Sequence, residues 1–530
     1  MALHGNPMRT LFDSLRMPGL GSKDDHPLAS PREAQPIFAE LRTRDSVKAL
    51  EEISDWLQST MTFETVKLER RFEVIRQLDD AIQQHRIKLA REYGAASLTP
   101  RPQELKLWAI GRDLWANVAA AYDDLIGRIE RKEKGGDGLR RESALIAVRA
   151  ARANCLRIKL QYVRYGPITD DIWSCLARAY RFAESRGVQH TRLSPYADLP
   201  GETSPEEEFL RGHLLSASAP DALPPAQLEL AERLIAGMAS RFRITHSPNP
   251  DSTYWLDLAS PRQPLRLAAP PAQLTTGLRF FATAAGYADV QNLLGRLEKT
   301  GELPRGLGLG AGAEPDVVVA VLKHLRLNWA PRPPVRRSER RRTAAGILVA
   351  HGFEAIVGLF RPADIDLDFG ASGATETWAI ENMSGGGFGA AAHSTNGDWL
   401  RIGALLAVRP EAGDARWDIA IIRRLSRDDA TARARARVGA EVVSRDVLFG
   451  EFTTNIGRWG HGVAKVDGLV IPEAGEAGAI LVLLQHGLYL PGEQLLAMIA
   501  GRRHLLFPVA LVERGEDYDL IKFRAMVQEA

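Results

Sequence analysis

Only two cysteines, Cys155 and Cys175, occur in 530 residues. That scarcity excludes a disulfide framework and suits a reducing compartment. Both stand in apolar, helix-patterned surroundings, where a thiol is expected to be buried and inert rather than half of a redox pair. Long apolar runs are missing as well. The longest, Ala477–Leu484, ends at Gln485 and His486 and falls far short of a membrane span. Met1–Arg16 holds no continuous apolar stretch, so no signal peptide and no membrane insertion are expected, and the sequence predicts a cytoplasmic protein. Net charge is small, +2, which excludes a uniformly cationic protein; any positive charge that matters is local. Catalytic signatures are absent. The twelve histidines form no His-Glu-x-x-His and no Cys/His zinc spacing, and there is neither a Gly-x-Ser-x-Gly elbow nor a Gly-Lys-Ser/Thr loop. The sequence nominates no enzyme and no metal site.

What is present divides the chain into segments of different character, as its length requires. Residues 1 to about 35 carry Gly, Pro, Ser and Asp without periodicity and read as a mobile leader. From there to about 240 the pattern is helical. Asp45 can cap a helix with Val47, Leu50, Ile53 and Leu57 on one side, and Leu68, Phe72, Ile75 and Ile82 mark a second. Trp108, Trp115, Tyr122 and Ile129 recur every seven residues, with Val118 and Leu125 between them, and predict a buried helix face that ends at Gly135-Gly136. A fourth helix spans about Glu142 to Val163, and Thr169 caps a fifth. There Trp173-x-x-Leu176-Ala177-x-x-Tyr180 copies the spacing of Trp115-x-x-Val118-Ala119-x-x-Tyr122. The copies are too far apart for a regular tetratricopeptide array, so stacked helical hairpins, TPR-like or a bundle, are the expectation, and such a surface suits a protein partner.

Residues 241–330 mix one strand, Tyr254–Leu258, with further helices. Gly306–Gly312 alternates glycine with leucine and alanine but lacks the third glycine of a dinucleotide loop. Pro331, Pro333 and Pro334 mark a boundary. Beyond them short β-branched stretches predominate: Gly346–Val349, Phe353–Phe360, Leu405–Val408, Trp417–Ile422 and Val438–Val443, at the spacing of a small barrel. From about Leu448 the strands Ala479–Leu484, Leu505–Leu511 and Tyr518–Phe523 either extend that barrel or form a second. Asp364, Asp366 and Asp368 imitate the start of a calcium loop, but Phe369 and Thr375 occupy positions where that loop needs glycine and glutamate.

Two stretches carry the chemistry. Val335–Ala345 packs five arginines into Arg336–Arg342, and Trp378–Ala390 contains Asn382-Met-Ser384-Gly-Gly-Gly387. An arginine's planar fork pairs bidentately with a phosphate or with guanine O6 and N7, and its face stacks on a base. Asn382 offers an amide for a base edge, Ser384 a small hydroxyl, and Gly387 a backbone without Cβ for close approach. Each stretch alone is a basic linker or a glycine-rich turn. Together, an Arg-x-x-x-Arg followed about forty residues later by Asn-x-Ser-x-x-Gly resembles the PilZ domain family over about 331–445. Leu400–Leu405, Ile421–Leu425 and Val438–Val442 are similar to that family's later strands. The resemblance implies a small β-barrel that binds cyclic di-GMP through Arg336/Arg340 or Arg337/Arg341, with Asn382, Ser384 and Gly387. The second arginine register stands closer to the strand. The family often has Asp where this chain has Asn382, which implies weaker binding.

The expected architecture is therefore α+β multidomain: a 1–35 leader, a 36–240 helical interaction domain, a 241–330 connecting region, a 331–447 PilZ-like barrel and a β-rich 448–530 segment. The function expected of it is a non-enzymatic cyclic di-GMP receptor without other cofactors that engages an unidentified protein through its helices. A nucleic-acid-binding protein using Arg336–Arg342 and Arg433–Arg437 is one rival, and a scaffold whose degenerate PilZ-like barrel has lost its ligand is the other; no aromatic residue is interleaved with either arginine cluster, which counts against the first.

Overall fold

The computed structural model describes residues 26–63, 66–94, 101–197, 200–268, 271, 273–303, 309, 314–332, 339, 341–362, 375–392, 399–411, 416–428, 435–455, 463–473, 478–490 and 492–528. Arg336, Arg337 and Arg340, the calcium-like aspartates and nearly all of Gly306–Gly312 lie outside the described residues. The fold is α+β and multidomain: a helical N-terminal region, then two six-stranded barrels. Helices α1 (Pro31–Thr43), α2 (Ser46–Thr60), α3 (Leu68–Gly94), α4 (Arg101–Glu130), α5 (Ser143–Val163), α6 (Asp170–Ser185), α7 (Pro205–Ala217) and α8 (Pro225–Met238) come first. The chain forms two compact units, residues 1–154 with 175–205, and residues 155–174 with 206–530.

In the first unit the sequence periodicities become packing. Asp45 caps α2 by accepting from Lys48 N–H at 3.2 Å. Leu50, Ile53, Leu57, Phe72, Ile75 and Ile82 are buried, as are Trp115, Val118, Tyr122, Leu125 and Ile129 of α4. The heptad is thus a core face from Trp115 to Ile129, while Trp108, its first member, is half-buried. This core encloses charge. Asp79 has no exposure and accepts from Tyr122 Oη at 2.9 Å, from Tyr196 Oη at 3.1 Å and from Arg149 Nη1 at 3.3 Å. Burial pushes the Asp79 carboxyl up, and Arg149 pulls it back down. Arg149 also donates to Asp80 at 2.7 Å and to the carbonyls of Pro195 and Arg76.

After residues 155–174, the second unit continues with α7 and α8. A four-stranded sheet follows, in the order β1 (Ile244–Thr245), β4 (Leu278–Phe281), β2 (Tyr254–Asp257), β3 (Leu265–Arg266). Helices α9 (Ala284–Thr300) and α10 (Pro315–Trp329) come next; Trp329 is fully buried and donates Nε1–H to Ser218 Oγ at 2.9 Å. The first barrel contains β5 (Arg341–His351), α11 (Phe353–Gly358), β6 (Glu376–Ser384), β7 (Gly387–Ala392), β8 (Leu405–Pro410), β9 (Asp418–Arg427) and β10 (Ala436–Ser444). Its strands close in the order β10-β7-β6-β5-β8-β9.

Two sequence expectations change here. Phe353–Phe360 is not a strand. Gly352, at φ +83°, turns the chain, and Phe353, Ile356 and Val357 bury themselves at helical spacing. The strand expected from Leu400 begins only at Leu405. Inside the barrel, Val349, Trp378, Leu406, Ala420, Ile422 and Leu425 have no exposure. Tyr165, at φ +58° beyond the end of α5, joins this core, and its carbonyl accepts from Arg427 N–H at 2.7 Å.

The C-terminal segment forms a barrel of its own. Strands β11 (Leu448–Asn455), β12 (Val463–Pro472), β13 (Ala479–Gln485), β14 (Leu495–Ile499), β15 (Arg502–Arg514) and β16 (Tyr518–Val527) close in the order β11-β12-β13-β16-β15-β14. The two barrels share a core in which Ile419 and Ile421 of the first meet Leu469, Leu483 and Tyr518 of the second. Arg423 reinforces the junction. It grips Glu513 of β15 through both oxygens, at 2.6 and 2.7 Å, and Glu441 of β10 at 2.8 Å. Burial works against the Arg423 charge, but its hydrogen bonds to Glu513 and Glu441 raise its pKa.

Candidate functional site

The end of the arginine-rich stretch becomes the start of β5. Its first residues are exposed because the strand begins beyond the buried stretch that Ile347 and Val349 anchor. β5 pairs antiparallel with β6, and the register sets Arg341 opposite Met383 and Arg342 opposite Asn382. β6 turns into β7 through Gly385-Gly386, with Ser384 opposite Gly387. The Ser384 hydroxyl donates to the Gly387 carbonyl at 3.2 Å, and Val442 N–H donates to the Gly386 carbonyl at 3.1 Å. Arg341, the last residue of the first motif, and the second motif therefore lie on neighbouring strands of one barrel.

A cavity of about 560 Å³ lies at this end, lined by Glu339, Arg341, Thr343, Ala345, Met383, Ser384 and Gly385. Met383, 41% exposed, pairs with Phe388 of the barrel core, so the cavity opens over the end of the barrel interior. Arg341 and Ser384 both line it, a guanidinium and a hydroxyl on one cavity.

Asn382 does not line that cavity. A bulge between Ile380 and Asn382 brings Asn382 opposite Gly389, whose chain neighbours Phe388 and Ala390 point into the core. Strand alternation then places Asn382 on the outer face. Its carboxamide lies over Gly389, where a Cβ would come within 2.8 Å of Nδ2 and 3.0 Å of Oδ1. Asn382 Oδ1 is shut off from solvent and has no hydrogen-bond partner among the described residues. Gly387 has a structural reason to be glycine: a Cβ there would overlap the Ala440 carbonyl oxygen of β10. A Cβ on Gly386 would meet nothing.

Sequence reasoning missed Arg342, the arginine directly opposite Asn382. It belongs to neither Arg-x-x-x-Arg register; only the strand pairing singles it out. Among the described residues no group of three or more His, Cys, Asp or Glu side chains could hold a metal ion, and no helix is long and apolar enough to cross a membrane.

Residues 32–250 match the family described as the cyclic-di-GMP receptor FimW, N-terminal domain. The match covers less than half of the chain: the helices from α1 to α8 and β1, but neither barrel. The curated proteins gave no match.

Proposed function

We propose that the chain is a non-enzymatic receptor for cyclic di-GMP, that its first barrel is PilZ-like, and that the barrel holds the nucleotide at the end where β5 and β6 begin and finish. The observation that carries this reading is the strand pairing that gives Arg341 and Ser384 one cavity. A guanidinium fork offers paired N–H donors to a phosphate, and a serine hydroxyl beside it adds a third. Arg336, Arg337 and Arg340 precede Arg341 in sequence and would add charge. The FimW match supports the ligand from a different part of the chain, because that family is described as a cyclic di-GMP receptor. The helical region supplies the protein-binding surface that reports occupancy, and the receptor acts in the cytoplasm.

Titration calorimetry with cyclic di-GMP tests the reading. Wild type should bind with one site, and Arg337→Ala, Arg341→Ala and Ser384→Ala should each weaken binding while leaving the melting temperature in place. No heat from wild type, or salt-dependent binding to random RNA with no preference for the dinucleotide, would overturn it.

A further inference from the structure

The two barrels repeat one strand topology. Numbered along the chain from its own first strand, each closes in the order 1-2-3-6-5-4, and every neighbouring pair is antiparallel. Equivalent walls can therefore be compared. In the first barrel the fourth and fifth strands, β8 and β9, present an apolar outer wall that is covered. Leu405, Ala407, Ile419 and Ile421 pack there against Leu469 and Leu483 of the second barrel. The equivalent wall of the second barrel, β14 and β15, is apolar as well but stands open. Six of the eleven large apolar side chains exposed among the described residues fall on β14, β15 and the adjoining β16. Strand register aligns Leu496, Leu505 and Met526 across them.

We infer that this open wall is the face through which two copies of the chain pair about a two-fold axis. The inference does not depend on which ligand the first barrel holds. An uncovered apolar wall of this kind is a landing site for a partner, and its charges fit a second copy. Glu451 of β11 stands opposite Met498, and Met498 opposite Arg503 of β15, so the two charges flank one methionine. Both are exposed, and neither forms an ion pair among the described residues. Rotation by 180° about Met498 exchanges the two sides, and Glu451 of each copy meets Arg503 of the other. A groove of about 330 Å³ follows this row, with Leu496 and Met498 between the charged side chains, and gives the apolar contact its depth.

Other ways of joining two copies are closed. The wall that receives β8 and β9, built on β12, β13 and β16, is already buried within each chain. Its counterpart in the first barrel carries the exposed charges of Glu381, Arg437 and Glu441. The apolar wall is left to meet its own copy, which is the two-fold arrangement. Addition of a strand along β15 is blunted by Pro508, which lacks an N–H, and by bulges at Pro508/Ala510 and Leu511/Glu513.

Sedimentation velocity of the full chain from about 1 to about 100 μM tests the pairing. Wild type should form a dimer in concentration-dependent equilibrium. Leu496→Glu places a charge in the contact and should raise the dissociation constant at least about tenfold. Leu274→Glu, at a 64% exposed side chain between β3 and β4, should leave it unchanged. Glu451→Arg and Arg503→Glu each set like charges at both symmetry-related contacts and should weaken the dimer about tenfold. The double variant exchanges the signs and should return to within about threefold of wild type. Thermal melts identify any variant that fails to fold, and the charge exchange keeps the test decisive if Leu496→Glu is one. A wild-type chain that stays monomeric overturns the inference, whatever else the wall binds. So does a dimer that Leu496→Glu leaves intact, or a double variant no tighter than the single ones.

Discussion

Replacing Arg149 by Met should destabilise the first unit far more than any surface arginine substitution in it. Arg149 is 3% exposed and makes five donations, to Asp79, Asp80, Arg76 and, twice, Pro195. Methionine restores bulk but strands the Asp79 carboxylate, which has no exposure and keeps only uncharged donors, the hydroxyls of Tyr122 and Tyr196 and the Gln83 amide at 3.3 Å. Breaking a buried pair from one side costs about 3–5 kcal/mol. Arg128→Met is the control: that side chain is 22% exposed beside Asp124 and Glu133, and its loss should cost about 1 kcal/mol or less. Hydrogen exchange followed on peptides from α3 and α4 reads the opening energy of this unit directly. At pH 7 the Arg149→Met protein should exchange there about two to four orders of magnitude faster than wild type. The sign of the pH dependence is fixed as well. Burial already raises the Asp79 pKa, and losing Arg149 raises it further, so the folded variant takes up a proton that the unfolded chain does not. Relative to wild type, the variant must therefore recover stability as pH falls through that raised value. A loss at pH 7 no larger than that of Arg128→Met, or a deficit independent of pH, would refute the account of this core.

Three further outcomes follow from local geometry. Gly387→Ala should destabilise the first barrel by about 1–3 kcal/mol through the Ala440 carbonyl, whereas Gly386→Ala should be neutral within about 0.5 kcal/mol; paired thermal melts decide. His213 is buried against Trp173 and Phe209, and burial lowers its pKa to about 3. The unfolded chain protonates first, so between pH 6.5 and 5 the second unit should lose ~2 kcal/mol of stability, a loss that His213→Gln abolishes in denaturant titrations. The Cys155 thiol is buried, donates to the Glu208 carbonyl at 3.1 Å and is pushed up to about 12, while Cys175 is half-buried. A thiol reagent at pH 8 should label Cys175 first and reach Cys155 only in denaturant, as peptide mapping would report.

How much of this was legible in the sequence depends on whether a feature is local. Cores of amphipathic helices were: Trp115, Tyr122, Trp173 and Tyr180 are buried at the spacing that announced them. The cap at Asp45 and the later strands of both barrels were legible for the same reason. Phe353–Phe360 was not, because a short apolar run fits a buried strand or a buried helix equally well, and the left-handed Gly352 decides between them. β7 was hidden by its own composition, since Gly387–Ala392 has almost none of the residues that favour strands. Pairing is the larger gap. Neither the closure of β11–β16 as a separate barrel nor the choice between Arg341 and Arg342 can be read from spacing. A motif counts residues along one strand, while the bulges after Arg342 and Ile380 reset which side each residue faces.

The common core of the barrels has a practical corollary for anyone who trims this protein. Residue 447 looks like a natural place to cut, lying in the short link between β10 and β11. Yet a fragment ending there would leave Phe353, Ile419 and Ile421 facing water where Leu469, Leu483 and Tyr518 had covered them. Such a fragment should express as a sticky, partly insoluble species, and nucleotide titrations run on it would measure a damaged barrel.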